Sequence, residues 1–595
     1  MALLAFAAGT WVLVDYWPDA GFIWWSSQHD RNAHYLQGLT LAMSVRGLDW
    51  YSFFAALERM HVWGTAHPVI LGPIQWIAGP DHRLAVVPSL VMWCGSIPLA
   101  FALARRAVPE FGSVAGWVAA LLVASSPAHR AFAVDCMLES GGAFLTLATL
   151  GAFIRFSEAH TPRSARVLVV VCLLLFFWKY NYWVLVSLAM GAAEMWTRRS
   201  EAVATLRRVW SDRRALLVSL ARSPLLIAAA VVLAVGLVVL FRAPVTLTIG
   251  GWSVTFTRPH GIVHAGWVLL CLQALMWWRT RGRAWLATWN AADRIVALGI
   301  AVPIGIWFLI PKRLGSFLWF LSPLNSDQAP AAALDRVQTY AAFIASDYFP
   351  QPWMAPAALL LSLIGLIGLL GMPHHRRGAG LVFLFLAIAA ILTADHPMVK
   401  SRFVHSWIAA LYLTSGLGVA TLLAWMHMYL RAHARASAAI VCAAAAIVFA
   451  PAFTSRGRAQ ESGVRPTMNS TLDVTDPLVA ALPVGRVVQI VSNEAECWTL
   501  QWACLEKLRN PLLVRLDIRG YRRTERDPAA IAPWLASTDA EVIAIVDVPP
   551  GSPFYSGYGN ILLEPVRAAL ATDSRFSVTS DRVLPGGERI TVWQR

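Results

Sequence analysis

The sequence predicts an α-helical polytopic membrane protein carrying a small soluble α/β domain at its C-terminal end. Three observations predict it. Of 595 residues, 57% are hydrophobic and only 14% charged, whereas soluble proteins average about 25% charged. Mean hydropathy is +0.56, a value that only long uncharged runs produce. The charge is also unevenly placed: residues 1–453 hold 33 Lys+Arg against 18 Asp+Glu, while residues 454–595 hold 16 of each. The whole +15 therefore belongs to the apolar part, where a basic excess orients membrane helices. A single soluble enzyme and a basic nucleic-acid-binding arm are both excluded by this pattern.

Apolar segments near spanning length, about 17 to 25 residues, occur at 2–18, 84–104, 112–128, 138–156, 166–180, 182–196, 223–241, 261–278, 295–311, 354–371, 379–393, 406–429 and 437–453. About 13 transmembrane helices are expected. The segment starting at Met1 has no basic region before it and no small-residue cleavage site, so it reads as a retained helix. The Arg-rich stretch Arg198 to Arg222, the run Arg279, Arg281, Arg283 and the pair Arg376, Arg377 are placed in the cytoplasm by the positive-inside rule. The segments 19–83, 129–137, 242–260, 312–353, 394–405 and everything after 453 then face outward. Almost no acidic residue lies mid-span, which disfavours an ion-coupled transporter with midplane carboxylates.

Residues 454–595 read differently. Val487–Val491, Val542–Val546 and Ile590–Trp593 are strand-like β-branched runs, helical stretches separate them, and Gly586-Gly587 marks a hairpin before the last strand. The expected division is 1–453 for the membrane part, with a long outward loop 19–83, and 454–595 for an extracytoplasmic α/β domain. With neither GxGxxG nor a P-loop, nucleotide binding is not expected there. The seven cysteines form no metal or disulfide framework. Cys497 and Cys504, seven apart, could be bridged only across a helix break.

The loop 19–83 carries most of the chemistry-bearing residues. Tyr35, Leu36, Leu39, Leu41 and Met43 define one apolar face, and Phe53, Phe54, Leu57 and Met60 another, as expected of two helices in the membrane interface. Around them stand His29-Asp30-Arg31-Asn32-Ala33-His34-Tyr35, then His67-Pro68, then Asp81-His82-Arg83. The order of Asp30 with Tyr35, His67-Pro68, Asp135 and Arg402-Phe403 resembles the integral-membrane GT-C glycosyltransferases that use polyprenyl-phosphate sugars, in particular aminoarabinose transferases and protein O-mannosyltransferases. The resemblance covers residues 1 to about 430. It departs at Arg31, where that group often has a second acid. It implies a GT-C fold, a polyprenyl-phosphate-linked sugar donor, an envelope glycan, lipid or protein as acceptor, and a place in the cytoplasmic (inner) membrane.

Sugar transfer from a lipid phosphate needs a carboxylate to take the acceptor proton and a cation for the leaving phosphate. Asp30 is expected as the base, the alternative being an N-cap. Asp135 and Glu139, four apart, share a helix face and suit binding of a divalent cation or orientation of the acceptor, the alternative being helix-dipole stabilisation; Asp135 is the second catalytic candidate. Tyr35, His67, Glu139, Lys179, Lys400 and Arg402 are expected to bind substrate. Arg402 is the first choice for phosphate, against a snorkelling role at the interface, and Lys179 equally fits an aromatic belt. A divalent cation held by Asp30 and Asp135 stays open. Zinc on His29, His34, His61 and His67 lacks a supporting motif. A lipid-linked oligosaccharide ligase or polymerase, and a non-enzymatic flippase or transporter, are the competing readings.

Overall fold

A computed structural model describes residues 1–25, 29–60, 64–108, 111–200, 203, 223–242, 245–256, 260–321, 332–371, 376–396, 398–430, 486–492, 502, 506, 515–516, 529, 531–550, 563–584 and 587–595. The expected span 437–453, His61, Gly586, Cys497 and Cys504 lie outside the described residues, as does the side chain of His29.

Helices dominate. The first ten are α1 (Ala2–Trp25), α2 (His29–Arg46), α3 (Trp50–Arg59), α4 (Ala66–Ala78), α5 (Val87–Ala107), α6 (Gly112–Ser125), α7 (Pro127–Ala133), α8 (Glu139–Ala159), α9 (Pro162–Trp178) and α10 (Tyr180–Thr197). Further helices cover Pro224–Arg242, His260–Trp277, Ala291–Trp307, Met354–Gly371, Arg376–Asp395 and Ile408–Leu430. Every apolar segment read from the sequence up to residue 429 falls on one of these helices. Among the described residues, four are long and apolar enough to cross a membrane, at His82–Ala107, His260–Ala287, Gly378–Asp395 and Ile408–Met428. Shorter apolar helices include Ala2–Pro18, Gly112–Ser125, Pro224–Leu240 and Met354–Leu370.

Local chemistry sets the boundaries that matter for the site. Thr161 and Ser164 form a capping box with Pro162 at the first helical position, starting α9. At its far end Lys179 adopts an extended backbone, φ −156° and ψ 105°, and α10 begins at the next residue. The break thus falls at Lys179, not near Asn181 as the hydrophobic pattern suggests. Asp49 caps α3 by accepting from the Ser52 backbone N–H at 2.9 Å. Asp30 lies one residue inside the first turn of α2, and its carboxylate is engaged elsewhere.

The loop 19–83 differs from expectation in one respect. α3 exposes Trp50, Tyr51 and Phe54 and fits an interface helix. α2 does not: Arg31, Asn32, His34, Tyr35, Leu39, Leu41 and Met43 are all buried within the protein. The helix is packed against α4, where Gly38 leaves the space that Leu71 fills. Its polar residues are consequently internal, and each needs a partner.

Two small sheets complete the fold. The antiparallel hairpin β1 (Val245–Ile249) and β2 (Trp252–Phe256) turns at Gly250-Gly251, both with positive φ. A five-stranded sheet in the order β4-β3-β5-β7-β6 uses β3 (Val488–Ser492), β4 (Arg515–Leu516), β5 (Val542–Asp547), β6 (Ser577–Val583) and β7 (Arg589–Gln594). β3 is parallel to β4 and β5, whereas β7 is antiparallel to β5 and β6. Ile543, Ile545 and Trp593 pack beneath helices Ile531–Ser537 and Leu563–Thr572.

Candidate active site

Three ion pairs between distant parts of the chain meet beneath the loop 19–83. Arg31 donates from Nε to Asp135 Oδ1 at 2.5 Å and from Nη2 to Oδ2 at 2.6 Å, a planar two-pronged contact with both residues buried. Arg402 Nη1 donates to Asp30 Oδ2 at 2.5 Å. Lys179 Nζ donates to Glu139 Oε1 at 2.6 Å, again with both partners buried. The last two pairs act on one another: His34 feels Asp30, Glu139, Lys179 and Arg402, and Lys179 feels Arg402 and Asp30 as well as Glu139.

Each cation is placed by a local structural reason. Arg402 lies in the 3₁₀ helix Ser401–Ser406, anchored where Ser401 donates to Asp347 at 2.5 Å and its carbonyl accepts from Tyr348 at 2.9 Å. Lys179 sits at the break between α9 and α10, its ammonium 4.7 Å from the Tyr182 ring centroid, a cation–π contact. Glu139 meets it because Gly141 lies flat against the Trp178 indole, where an added Cβ would come within 2.1 Å. Trp178 in turn donates to the Leu138 carbonyl at 2.8 Å. Gly64, just before α4, is equally constrained: a Cβ there would fall 2.0 Å from the Phe177 carbonyl oxygen.

The sequence candidates are therefore largely gathered together. Asp30, Asp135, Glu139, Lys179 and Arg402 form the three pairs. His67 lies beside them, its ring 5.6 Å from His34 and 5.2 Å from Trp178, with Nε2 4.0 Å from Cys136 Sγ. Lys400 is exposed at the edge. Tyr35 points elsewhere, donating to Glu506 Oε2 at 3.2 Å. Sequence reading missed the part played by Arg31, noted there only as a departure. It also missed His34, Tyr182, Asn32, Trp502 and Glu506. The signal available was the density of polar residues in 29–35, too many for one exposed turn beside an apolar face.

A cation shared by Asp30 and Asp135 does not fit this arrangement. Both Asp135 oxygens accept from Arg31, and Asp30 accepts from Arg402, so a metal there would have to displace two guanidinium groups. Among the described residues, another cluster, Asp81, His82 and Glu506, brings ligand atoms within 4.8 Å of one another. Its atoms are already bonded: Asp81 holds Arg83 at 2.8 Å, and Glu506 pairs with His82 Nδ1 at 2.9 Å. We read it as a hydrogen-bonding hub.

Burial dominates the titration of the loop residues. His34 falls from 6.5 to about 4 because burial outweighs the attraction of Asp30 and Glu139. His67 is held well below its ordinary value by burial and by His34. His405, stacked 4.2 Å from His129, is lowered to about 3 by burial and by Lys179. Cys136 is pushed up by burial and by Asp135. The imidazoles are neutral at pH 7, and the fixed positive charge comes from Arg31, Lys179 and Arg402.

No family model matches the chain, and no curated protein does. Among solved structures, the chain is similar to ArnT from Cupriavidus metallidurans bound to undecaprenyl phosphate. The match covers 98% of each chain at 11% identity, with a TM-score of 0.48. It is also similar to the oligosaccharyltransferase of Archaeoglobus fulgidus tethered to an acceptor peptide. That match covers 91% of this chain and 68% of the other at 12% identity, with a TM-score of 0.44.

Proposed function

We propose that this protein is a membrane glycosyltransferase moving a sugar from a polyprenyl-phosphate carrier to a hydroxyl of an envelope glycan, lipid or protein, on the outer face of the cytoplasmic membrane. The observation that carries the reading is the Arg402–Asp30 pair beside Lys179–Glu139: two cations fit for a phosphate, each held by a carboxylate fit to take a proton. In the reaction the acceptor oxygen attacks the anomeric carbon, the bond from that carbon to the phosphate oxygen breaks, and the phosphate keeps the electron pair. The acceptor proton passes to a carboxylate. Arg402, whose planar fork matches phosphate, exchanges Asp30 for the donor phosphate, and Asp30 is released as the base at the moment the substrate arrives. Lys179 stabilises the charge that grows on the leaving phosphate. The Arg31–Asp135 fork holds the start of α2, and with it Asp30, against the α7–α8 connection.

The test is a survey of lipid-linked sugars and surface glycans in a deletion strain. Accumulation of one polyprenyl-phosphate sugar together with loss of one envelope modification is expected. An unchanged lipid-linked pool would overturn the proposal.

A further inference from the structure

We infer that Trp502 and Glu506, from the C-terminal segment, are positioning residues for the transfer site: they clamp α2 so that Asp30 and Arg31 keep their register. The inference rests on the transferase reading. Trp502 Nε1 donates to Asn32 Oδ1 at 2.9 Å with both residues buried. Its ring meets Tyr35 edge-on at 5.3 Å and lies 5.3 Å from His82. Glu506, four positions further along the sequence, accepts from the Tyr35 hydroxyl and pairs with His82.

The contacts form a grip at two levels of α2, Asn32 and Tyr35, with His82 as the fixed point. Asn32 directly follows Asp30 and Arg31, which hold Arg402 and Asp135. Successive side chains on a helix are about 100° apart, so a small rotation of α2 would carry Asp30 and Arg31 away from their partners. Trp502 does not belong to the sheet's core. It packs with Tyr35, Leu39, Leu71, Ala85 and Cys136, whereas the sheet buries a separate set around Trp534 and Trp593. A tryptophan of the C-terminal segment thus lends its apolar surface to the first loop.

The test uses the full-length protein in detergent, with Cys136 as the sole remaining cysteine and its labelling by a methanethiosulfonate as the reporter. Cys136 is fully buried beside Asp135. Two variants test it: Trp502→Phe keeps an aromatic ring but removes the N–H donor to Asn32, and the isosteric Glu506→Gln removes the charge shared with Tyr35 and His82. Both are expected to label at least tenfold faster than the parent while remaining folded, Glu506→Gln at an unchanged melting temperature and Trp502→Phe at one lowered by its smaller ring. Both should also lower kcat about tenfold for the donor that accumulates in the deletion strain, since an ångström of misplacement can cost about 10²-fold. Affinity for undecaprenyl phosphate, used as the probe of Arg402 and Lys179, should stay within twofold. Labelling unchanged in both variants would overturn the clamp. Faster labelling in a protein whose parent neither binds undecaprenyl phosphate nor transfers sugar would overturn the transferase reading and, with it, the catalytic purpose assigned to the clamp.

Discussion

Arg402 and Asp30, 372 residues apart, are joined side chain to side chain at 2.5 Å. The contact ties α2 to the 3₁₀ turn before the helix Ile408–Leu430. It also sets an order of events, because neither group is released until something replaces the other.

Replacing Asp30 by Asn should lower transfer at least 10²-fold, the lower end of what a positioned proton acceptor contributes, while undecaprenyl phosphate binding is kept or strengthened as Arg402 is set free. Single-turnover rates and binding on protein of matched thermal stability check this. Near-normal turnover would move the base to Glu139 or Asp135.

Arg402→Ala should weaken undecaprenyl phosphate binding, and Arg402→Lys should recover only part of it, since an ammonium lacks the planar fork. Titration of the lipid phosphate against both variants in detergent reads the difference. Equal affinity in all three proteins would assign the phosphate to Lys179 alone.

Lys179→Met leaves Glu139 buried and unpaired, a situation that costs about 3 to 5 kcal/mol. Lys179→Met combined with Glu139→Leu should recover most of the lost thermal stability without recovering activity. Additive losses in the double variant would show that the pair is not coupled.

Acid should destabilise the fold through its buried imidazoles. His34 and His405 bind protons at about 4 and about 3 when folded, against an ordinary 6.5, so the unfolded chain takes up more protons between these values. Their contribution is therefore complete above about pH 6.5 and falls as pH drops toward 4, by up to about 1.4 kcal/mol per pH unit for each histidine. Thermal melting between pH 7.5 and 5 reads the slope. His34→Phe should flatten it.

Reporter fusions after Arg376 and after Arg458 should give opposite responses, the first cytoplasmic and the second external, as the positive-inside rule requires. Cytoplasmic signals from both would remove the thirteen-span topology.

Helices were legible because an apolar run of this length has few alternatives. β3, β5 and β7 were legible as β-branched runs, all largely buried. β6, Ser577–Val583, is mostly exposed and offers no apolar alternation, so only its pairing with β7 makes it a strand. In the site, Asp30, Asp135, Glu139, Lys179 and Arg402 could each be singled out by charge at the end of an apolar run. Their pairing could not, since Arg31 reaches across 104 residues to Asp135 and Lys179 across 40 to Glu139. Trp502 and Glu506 gave no sign at all, because the residues that use them are about 470 positions away.

Gly64 gives these parts a common fate. With its Cα pressed on the Phe177 carbonyl, the start of α4 and the end of α9 behave as one mechanical piece carrying both His67 and Lys179. Any larger side chain at Gly64 would force the start of α4 away from the end of α9, and with it His67 away from Lys179. Arg402 belongs to no part of that piece: it hangs from a separate short turn, anchored by Asp347 and Tyr348.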